Sequence, residues 1–378
     1  MMPKNILIVA GEPSGDLHAS NLVSDLRSLN KDLWFFGIGG SKLKKAGVDI
    51  VFDISQLALI GLTEVLKNIF TVGKAYASVI SRIDAVKPDL AILVDYPGFN
   101  LRLAKALKKR SIPVVYYISP QVWAWGRDRV NIIKRCVRKI IVFFKFEEEL
   151  YKTYGIDAEF VGHPLLDVVK VDLPKKDFFK KYGLSEDGPT IALLPGSRAL
   201  EVKSLFRTMI SASRLIKEDI PGARFIVSKH PDIRIDLYED AIRGLGLEIK
   251  LIEGDTYNMV AASDFAIVAS GTATLETAII GTPLVIIYKA NIITYLLYKI
   301  VADIKFIGLP NIIAGKEIAP ELLQYDAAPE KIAKRVMELV SDGKKLSAAR
   351  RELAYIKGLL GRPGASMRAA EAIARLLG

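Results

Sequence analysis

In Ala269-Ser270-Gly271-Thr272-Ala273-Thr274-Leu275-Glu276 a Ser-Gly-Thr turn stands between an apolar run and a helix-forming one. Such a turn leaves backbone N–H groups unpaired at a helix N-terminus, where donors and the helix dipole converge on an anion. Glu276 follows Thr272 by four residues, so both side chains fall on one helix face, a turn apart. The turn can hold phosphates while the carboxylate accepts hydrogen bonds from sugar hydroxyls. Alternatively, Ser270 and Thr272 simply cap the helix. In Pro195-Gly196-Ser197-Arg198 the small residues let a ligand approach the backbone. Arg198 can then grip a diphosphate in forked geometry; a solvated loop arginine is the plain alternative. Asp95, which opens Asp95-Tyr96-Pro97-Gly98 after an apolar run, can act as a general base or cap its own turn. Glu12 and Asp16 in Gly11-Glu12-Pro13-Ser14-Gly15-Asp16 can position or deprotonate a hydroxyl, although Asp16 equally suits a helix start.

For these residues to meet a ligand they must follow strands. Residues 6–10, 34–38, 90–94, 114–118 and 139–143 read as strands, with helices over 20–29, 57–86 and 101–109. After a junction near Val161-Gly162-His163-Pro164, strands recur at 190–194, 224–228, 249–252, 265–269 and 283–288. This alternation predicts two doubly wound α/β domains in series, each with a ligand site at its strand C-terminal ends. We place the first domain at 1–165 and the second at 170–350, with a last helix at 363–378 set to cross back onto the first. The candidate residues then all fall in loops after strands. So does Ser119-Pro120-Gln121-Val122-Trp123-Ala124-Trp125, whose tryptophans either wall the site or pack in the core.

Composition narrows the classes. The chain has 378 residues, half of them apolar, and a formal charge of +11, which favours anionic partners. Its basic residues are dispersed without aromatic interleaving, so nucleic acid is not among the expected partners. The single Cys136 excludes an intramolecular disulfide and any cysteine metal cluster, and points to a cytoplasmic home. His18, His163 and His230 are too scattered to suggest a metal site. Neither Gly11–Asp16 nor Gly37-Ile38-Gly39-Gly40, which has Lys42 where a third glycine belongs, makes a dinucleotide fingerprint. The opening apolar run is too short for a signal peptide, and no apolar stretch is long enough to cross a bilayer.

Taken together, Gly11–Asp16, Ser119–Trp125, Leu194-Pro195-Gly196-Ser197-Arg198, Ala269–Glu276 and Leu309-Pro310-Asn311 resemble the lipid A disaccharide synthases. These are inverting glycosyltransferases of the GT-B fold, two Rossmann-like domains with a crevice between them. Pro13 stands where some members carry Thr or Ala. The resemblance spans essentially the whole chain. It implies transfer of 2,3-diacylglucosamine from UDP to the 6-hydroxyl of 2,3-diacylglucosamine 1-phosphate, without cofactor or metal. UDP would lie on Gly196, Ser197, Arg198, Ser270, Gly271, Thr272 and Glu276; Asn311 joins this set on the resemblance alone. The acceptor would meet Ser14, Gly15 and Asp16 on the first domain, with Asp95 the preferred base and Glu12 its rival. Acylated substrates imply work at an anionic membrane, peripheral on the cytoplasmic face of the inner membrane. There Leu66, Ile69 and Phe70 would contact lipid while Lys67 and Lys74 meet headgroups; an ordinary core helix is the alternative. Competing readings are another UDP-sugar enzyme, of the peptidoglycan glycosyltransferase or 2-epimerase type, and a non-catalytic binder of anionic lipids or nucleotides.

Overall fold

The computed structural model describes residues 3–56, 65–123, 128–243, 246–289 and 305–377, with side chains in the helix Val65–Val86 from Phe70 onward. The alternating runs fold into two wholly parallel sheets. The first contains β1 (Lys4–Ala10), β2 (Leu33–Gly39), β3 (Asp49–Asp53), β4 (Leu90–Val94), β5 (Val114–Tyr117), β6 (Lys139–Val142) and β7 (Ala158–Phe160). Its strand order is β3-β2-β1-β4-β5-β6-β7. The second contains β8 (Thr190–Leu194), β9 (Arg224–Lys229), β10 (Ile249–Glu253), β11 (Phe265–Ala269), β12 (Leu284–Tyr288) and β13 (Glu321–Leu323), in the order β10-β9-β8-β11-β12-β13. The chain divides into two units: Met1–Pro164 with Leu360–Gly378, and Leu165–Leu359.

Central strands are unbroken apolar runs because helices cover both faces of each sheet. In β1, Ile6 and Ile8 join the core on one face while Leu7 and Val9 join the core on the other, the period-2 alternation of an extended chain. Residues 6–10 and 90–94 are at most 1% exposed, so the two strands that carry the first site are anchored in the driest part of the unit. The edge strands β3, β7 and β13 are short and half-exposed. None carries more than three consecutive apolar residues, and the periodicity reading misses all three while finding the fourth edge strand, β10.

Two helices begin earlier than their apolar pattern predicts, at Pro13–Leu29 and Pro97–Lys109. Each has proline in its first turn, where a missing N–H costs nothing and the fixed φ favours initiation. The last helix, Ala365–Leu377, packs on Pro13–Leu29 in the first unit. Its buried stripe is Ala365, Ala369, Ala370, Ala372 and Ile373, small side chains that let the two helices approach closely. An Ala369→Leu change would overpack this contact at a cost of roughly 1–3 kcal/mol. Lys4 Nζ donates to the Leu377 carbonyl at 2.7 Å, placing a cation at the helix C-terminus. Among the described residues, no helix is long and apolar enough to cross a membrane.

Strand order reverses between β1 and β4 in the first unit, and between β8 and β11 in the second. Parallel sheets offer their ligand crevices beside the strand C-termini at these reversals.

Candidate active site

In the second unit a crevice of about 750 Å³ opens at the C-terminal ends of β8, β9, β10 and β11. The loop after β8 contributes Gly196, Ser197 and Arg198; the loop after β11 contributes Ser270, Gly271 and Thr272. Gly271 is the N-cap of the helix Thr272–Ile280, with φ 154°, a backbone conformation that side chains rarely adopt. No side chain caps this helix. Thr274 Oγ1 donates instead to the Gly271 carbonyl at 2.7 Å. The simple capping alternative for Ser270 and Thr272 is therefore set aside, and the first N–H groups have no partner within the helix.

Arg198 is 82% exposed and pairs with Glu201 at 3.0 Å. Glu201 also accepts from the Ser197 N–H at 3.3 Å, bracing the turn from the first turn of the helix Ala199–Asp219. An exposed pair of this kind is worth about 0–1 kcal/mol, so exchanging the carboxylate for a diphosphate costs little. Glu276 reaches the same crevice, as the four-residue spacing predicts. Burial raises its carboxyl pKa, opposed by a hydrogen bond from Tyr257 OH at 3.2 Å. The Tyr257 phenol is itself pushed up to about 12, by burial first and then by Glu276.

The sequence reading passes over Tyr257, Lys229 and His230, which line the crevice after β10 and β9. Their position at the last residue of a strand or within four residues beyond it is the signal that could have found them. Asn258 is spent on architecture. Its amide donates to Asp172 at 2.6 Å and Asp255 at 2.7 Å, and its oxygen accepts from the N–H groups of Asp172 and Leu173.

Asn311 is not brought to the crevice. It is fully buried, and its amide donates to the Ala319 carbonyl at 2.7 Å and to Glu321 at 2.8 Å. Its oxygen accepts from the N–H groups of Ile318 and Ala319. With every polar group engaged it knits the turn before β13.

In the first unit, the turn Gly11–Asp16 follows β1 and Asp95 follows β4, side by side at the strand reversal. Asp95 and Tyr96 both have φ 46°, a costly left-handed conformation for residues other than glycine. Side chains hold it. The Asp95 carbonyl accepts from Tyr116 OH at 2.6 Å and from Asn100 Nδ2 at 2.8 Å. The Tyr96 ring lies against Gly11, where a Cβ would come within 2.2 Å of it. The Asp95 carboxyl is raised to about 6, first by burial and then by the neighbouring charge of Glu12, against a backbone hydrogen bond from Tyr96. Glu12 and Ser14 are exposed, while Gly15 and Asp16 are buried. Asp16 is 3% exposed, and its oxygens accept from the N–H groups of Gly40 at 2.7 Å, Lys42 at 3.0 Å and Leu43 at 3.3 Å. Both oxygens are thus committed to the start of the helix Ser41–Lys45, leaving Ser14 as the open side chain of the expected acceptor set.

Trp123 is half-buried and donates to Glu147 at 3.1 Å. Ala124, Trp125, Gly126 and Arg127 lie outside the described residues, as do residues 57–64 and the side chains of Leu66, Lys67 and Ile69. Phe70 is 74% exposed and Lys74 is also at the surface.

Comparison with known proteins agrees with this layout. A family model described as Lipid-A-disaccharide synthetase matches residues 6–374. The lipid-A-disaccharide synthase of Syntrophus aciditrophicus is 44% identical over 98% of this chain and 97% of its own. Those of Myxococcus xanthus and Coxiella burnetii are 41% and 38% identical, covering 99% and 100% of this chain and 98% and 100% of their own. Among solved structures, a putative UDP-N-acetylglucosamine 2-epimerase from Listeria monocytogenes superposes with a TM-score of 0.64 at 16% identity, over 99% of this chain and 96% of that one. A calicheamicin glycosyltransferase superposes with a TM-score of 0.63 at 15% identity, over 100% of this chain and 99% of that one. At such low identity these two likenesses speak to the GT-B fold alone. The 2-epimerase, peptidoglycan glycosyltransferase and non-catalytic readings give way to the whole-chain match, and the chain belongs to the lipid-A-disaccharide synthase family of glycosyltransferases.

Proposed function

We propose that the chain transfers 2,3-diacylglucosamine from its UDP derivative to the 6-hydroxyl of 2,3-diacylglucosamine 1-phosphate, releasing UDP with inversion at the anomeric carbon. Asp95 takes the proton of the attacking hydroxyl. The observation that carries this role is a carboxyl brought to about 6 at a strand reversal, in the range where a base is ionised yet still basic. Glu12, exposed in the adjoining turn, favours the protonated form of Asp95 and so tunes it.

UDP binds the second unit. Its diphosphate meets the uncapped start of Thr272–Ile280 and the Arg198 guanidinium, and its ribose meets Glu276. Charge accumulating on the leaving diphosphate is met by these fixed donors, which are most valuable where water is excluded. No cofactor enters this scheme. Ser14 contacts the acceptor, and the chain works as a peripheral protein on the anionic inner face of the inner membrane, with Leu66, Ile69 and Phe70 toward lipid.

The test is incubation with UDP-2,3-diacylglucosamine and 2,3-diacylglucosamine 1-phosphate, following UDP and the disaccharide phosphate. Formation of both by the native chain and of neither by Asp95→Asn is expected. Release of UDP without disaccharide, or full activity of Asp95→Asn, would refute the scheme.

A further inference from the structure

The loop after β5 has no part in the scheme above, yet it leaves the sheet beside Asp95, because β4 and β5 pair directly. Ile118, at its root, has φ 66°. For a β-branched residue this is a genuine outlier, of a kind that persists only where surrounding structure enforces it. The Ile118 N–H donates to the Ile141 carbonyl of β6 at 3.1 Å, and the residues that follow it are held by the helix Lys145–Thr153. Glu147, three residues after the N-cap Phe144, is 4% exposed and accepts from Trp123 Nε1 at 3.1 Å. Ser119 Oγ lies 2.9 Å from the Pro120 carbonyl oxygen. One turn on, Tyr151 OH donates to the Pro120 carbonyl at 3.2 Å and lies 2.8 Å from Ser119 Oγ. The Trp123 ring meets Phe146 edge-on, with centroids 5.5 Å apart.

A buried carboxyl is an expensive way to cap a helix. Burial lifts Glu147 to about 7 despite the bond made to it. An exposed glutamate at the same helical position would serve the helix alone. What burial adds here is the link to a second loop, since a carboxyl in the first turn of this helix accepts from Trp123 Nε1.

We propose that Glu147 is a positioning residue for the acceptor side of the reaction, fixing the loop Ser119–Trp123 beside Asp95 through Trp123 Nε1. This rests on the reading that Asp95 receives the acceptor's proton. Glu147 touches no reacting atom; it acts through the loop.

The experiment compares Glu147→Ala, Glu147→Gln, Trp123→Phe and the Glu147→Ala/Trp123→Phe pair in the full chain. Acceptor and donor kinetics, UDP affinity and the fluorescence that Trp123→Phe removes are measured for each. Glu147→Ala and Trp123→Phe are each expected to lower kcat/KM for the acceptor about ten-fold, with UDP affinity unchanged. The double variant should fall no further than either single one, as expected of residues acting as a unit. Glu147→Gln, which keeps an acceptor for the indole N–H, should restore most of the activity and the native Trp123 emission. Glu147→Ala that melts earlier but keeps native acceptor kinetics would overturn the proposal, as would additive losses in the double variant. If Glu147→Ala does not fold, Trp123→Phe, which keeps the ring against Phe146, decides alone: native acceptor kinetics overturn, a specific loss supports. If the native chain forms no disaccharide, the catalytic reading has failed. The emission of Glu147→Ala against Glu147→Gln then still judges the loop, and identical emission overturns its positioning.

Discussion

Replacing Asp95 with asparagine should stop the reaction and stabilise the protein at neutral pH. The carboxyl rises from 3.8 to about 6 in the folded chain. Burial, its main cause, disfavours the ionised form, so the folded state keeps the proton to higher pH than the unfolded state does. The resulting destabilisation is absent below about pH 4, grows between about pH 4 and 6, and is complete above that window. About two pK units at ~1.4 kcal/mol each give an upper bound of about 3 kcal/mol at pH 7.5, and about half of that at pH 5. Asparagine carries no charge and can keep the bond from the Tyr96 backbone, so Asp95→Asn should recover most of it. Urea unfolding of both proteins at the two pH values, followed by the transition of the first unit, measures the gain. Turnover should fall by about 10²–10⁴-fold, the range for loss of a general base, and native turnover should rise with pH through about 6 before levelling. A variant no more stable than the native protein at pH 7.5, or equally stabilised at both pH values, would refute the burial argument. Near-native turnover would remove Asp95 from the chemistry.

Arg198→Ala should weaken UDP binding about 10- to 100-fold by calorimetry, the loss of one charge-assisted contact, while leaving the melting temperature unchanged because its ion pair is exposed. Unchanged affinity would exclude it from the diphosphate grip. Asp16→Ala should cost roughly 2–4 kcal/mol by urea unfolding, since three N–H groups lose their acceptor. A variant of native stability with a raised acceptor KM would restore Asp16 to the binding set. Joint replacement of Leu66, Ile69 and Phe70 by serine should abolish sedimentation with vesicles containing anionic lipid while UDP affinity stays native. Undiminished sedimentation would return the helix to an ordinary core role.

Much of this architecture is legible without coordinates. Residues 90–94, 190–194 and 265–269 read as strands with the boundaries that β4, β8 and β11 have. They are legible because both faces are buried, which makes every side chain but that of Thr190 apolar. Three of the four edge strands, β3, β7 and β13, escape because half-exposed pairing leaves them at most three consecutive apolar residues, whereas the fourth, β10, is legible from Ile249, Leu251 and Ile252. The helix starts at Pro13 and Pro97 escape for a different reason: their first turns are rich in Pro, Gly, Ser, Asp and Asn, so apolar periodicity shows only further on, although Gly15, Asp16, Phe99 and Asn100 are already buried.

The same distinction governs the polar residues. Composition and spacing select Asp16, Arg198 and Glu276 alike, because each is a polar group near a strand end or turn, and the family resemblance adds Asn311. What separates them is whether the fold already consumes their hydrogen-bonding capacity. Asp16 and Asn311 are buried and engaged by backbone groups further along the chain, so a ligand could reach them only by displacing bonds that hold a turn. Arg198 holds its partner in solvent, and Glu276 has a single hydrogen bond to Tyr257, so each can exchange or add a contact cheaply. Pairings such as Asp16 with Gly40, or the tighter turn of Asn311 with Ala319, exist only once the chain is folded. A motif therefore marks where a fold needs polar atoms, and the satisfaction of those atoms decides which of them remain for a substrate.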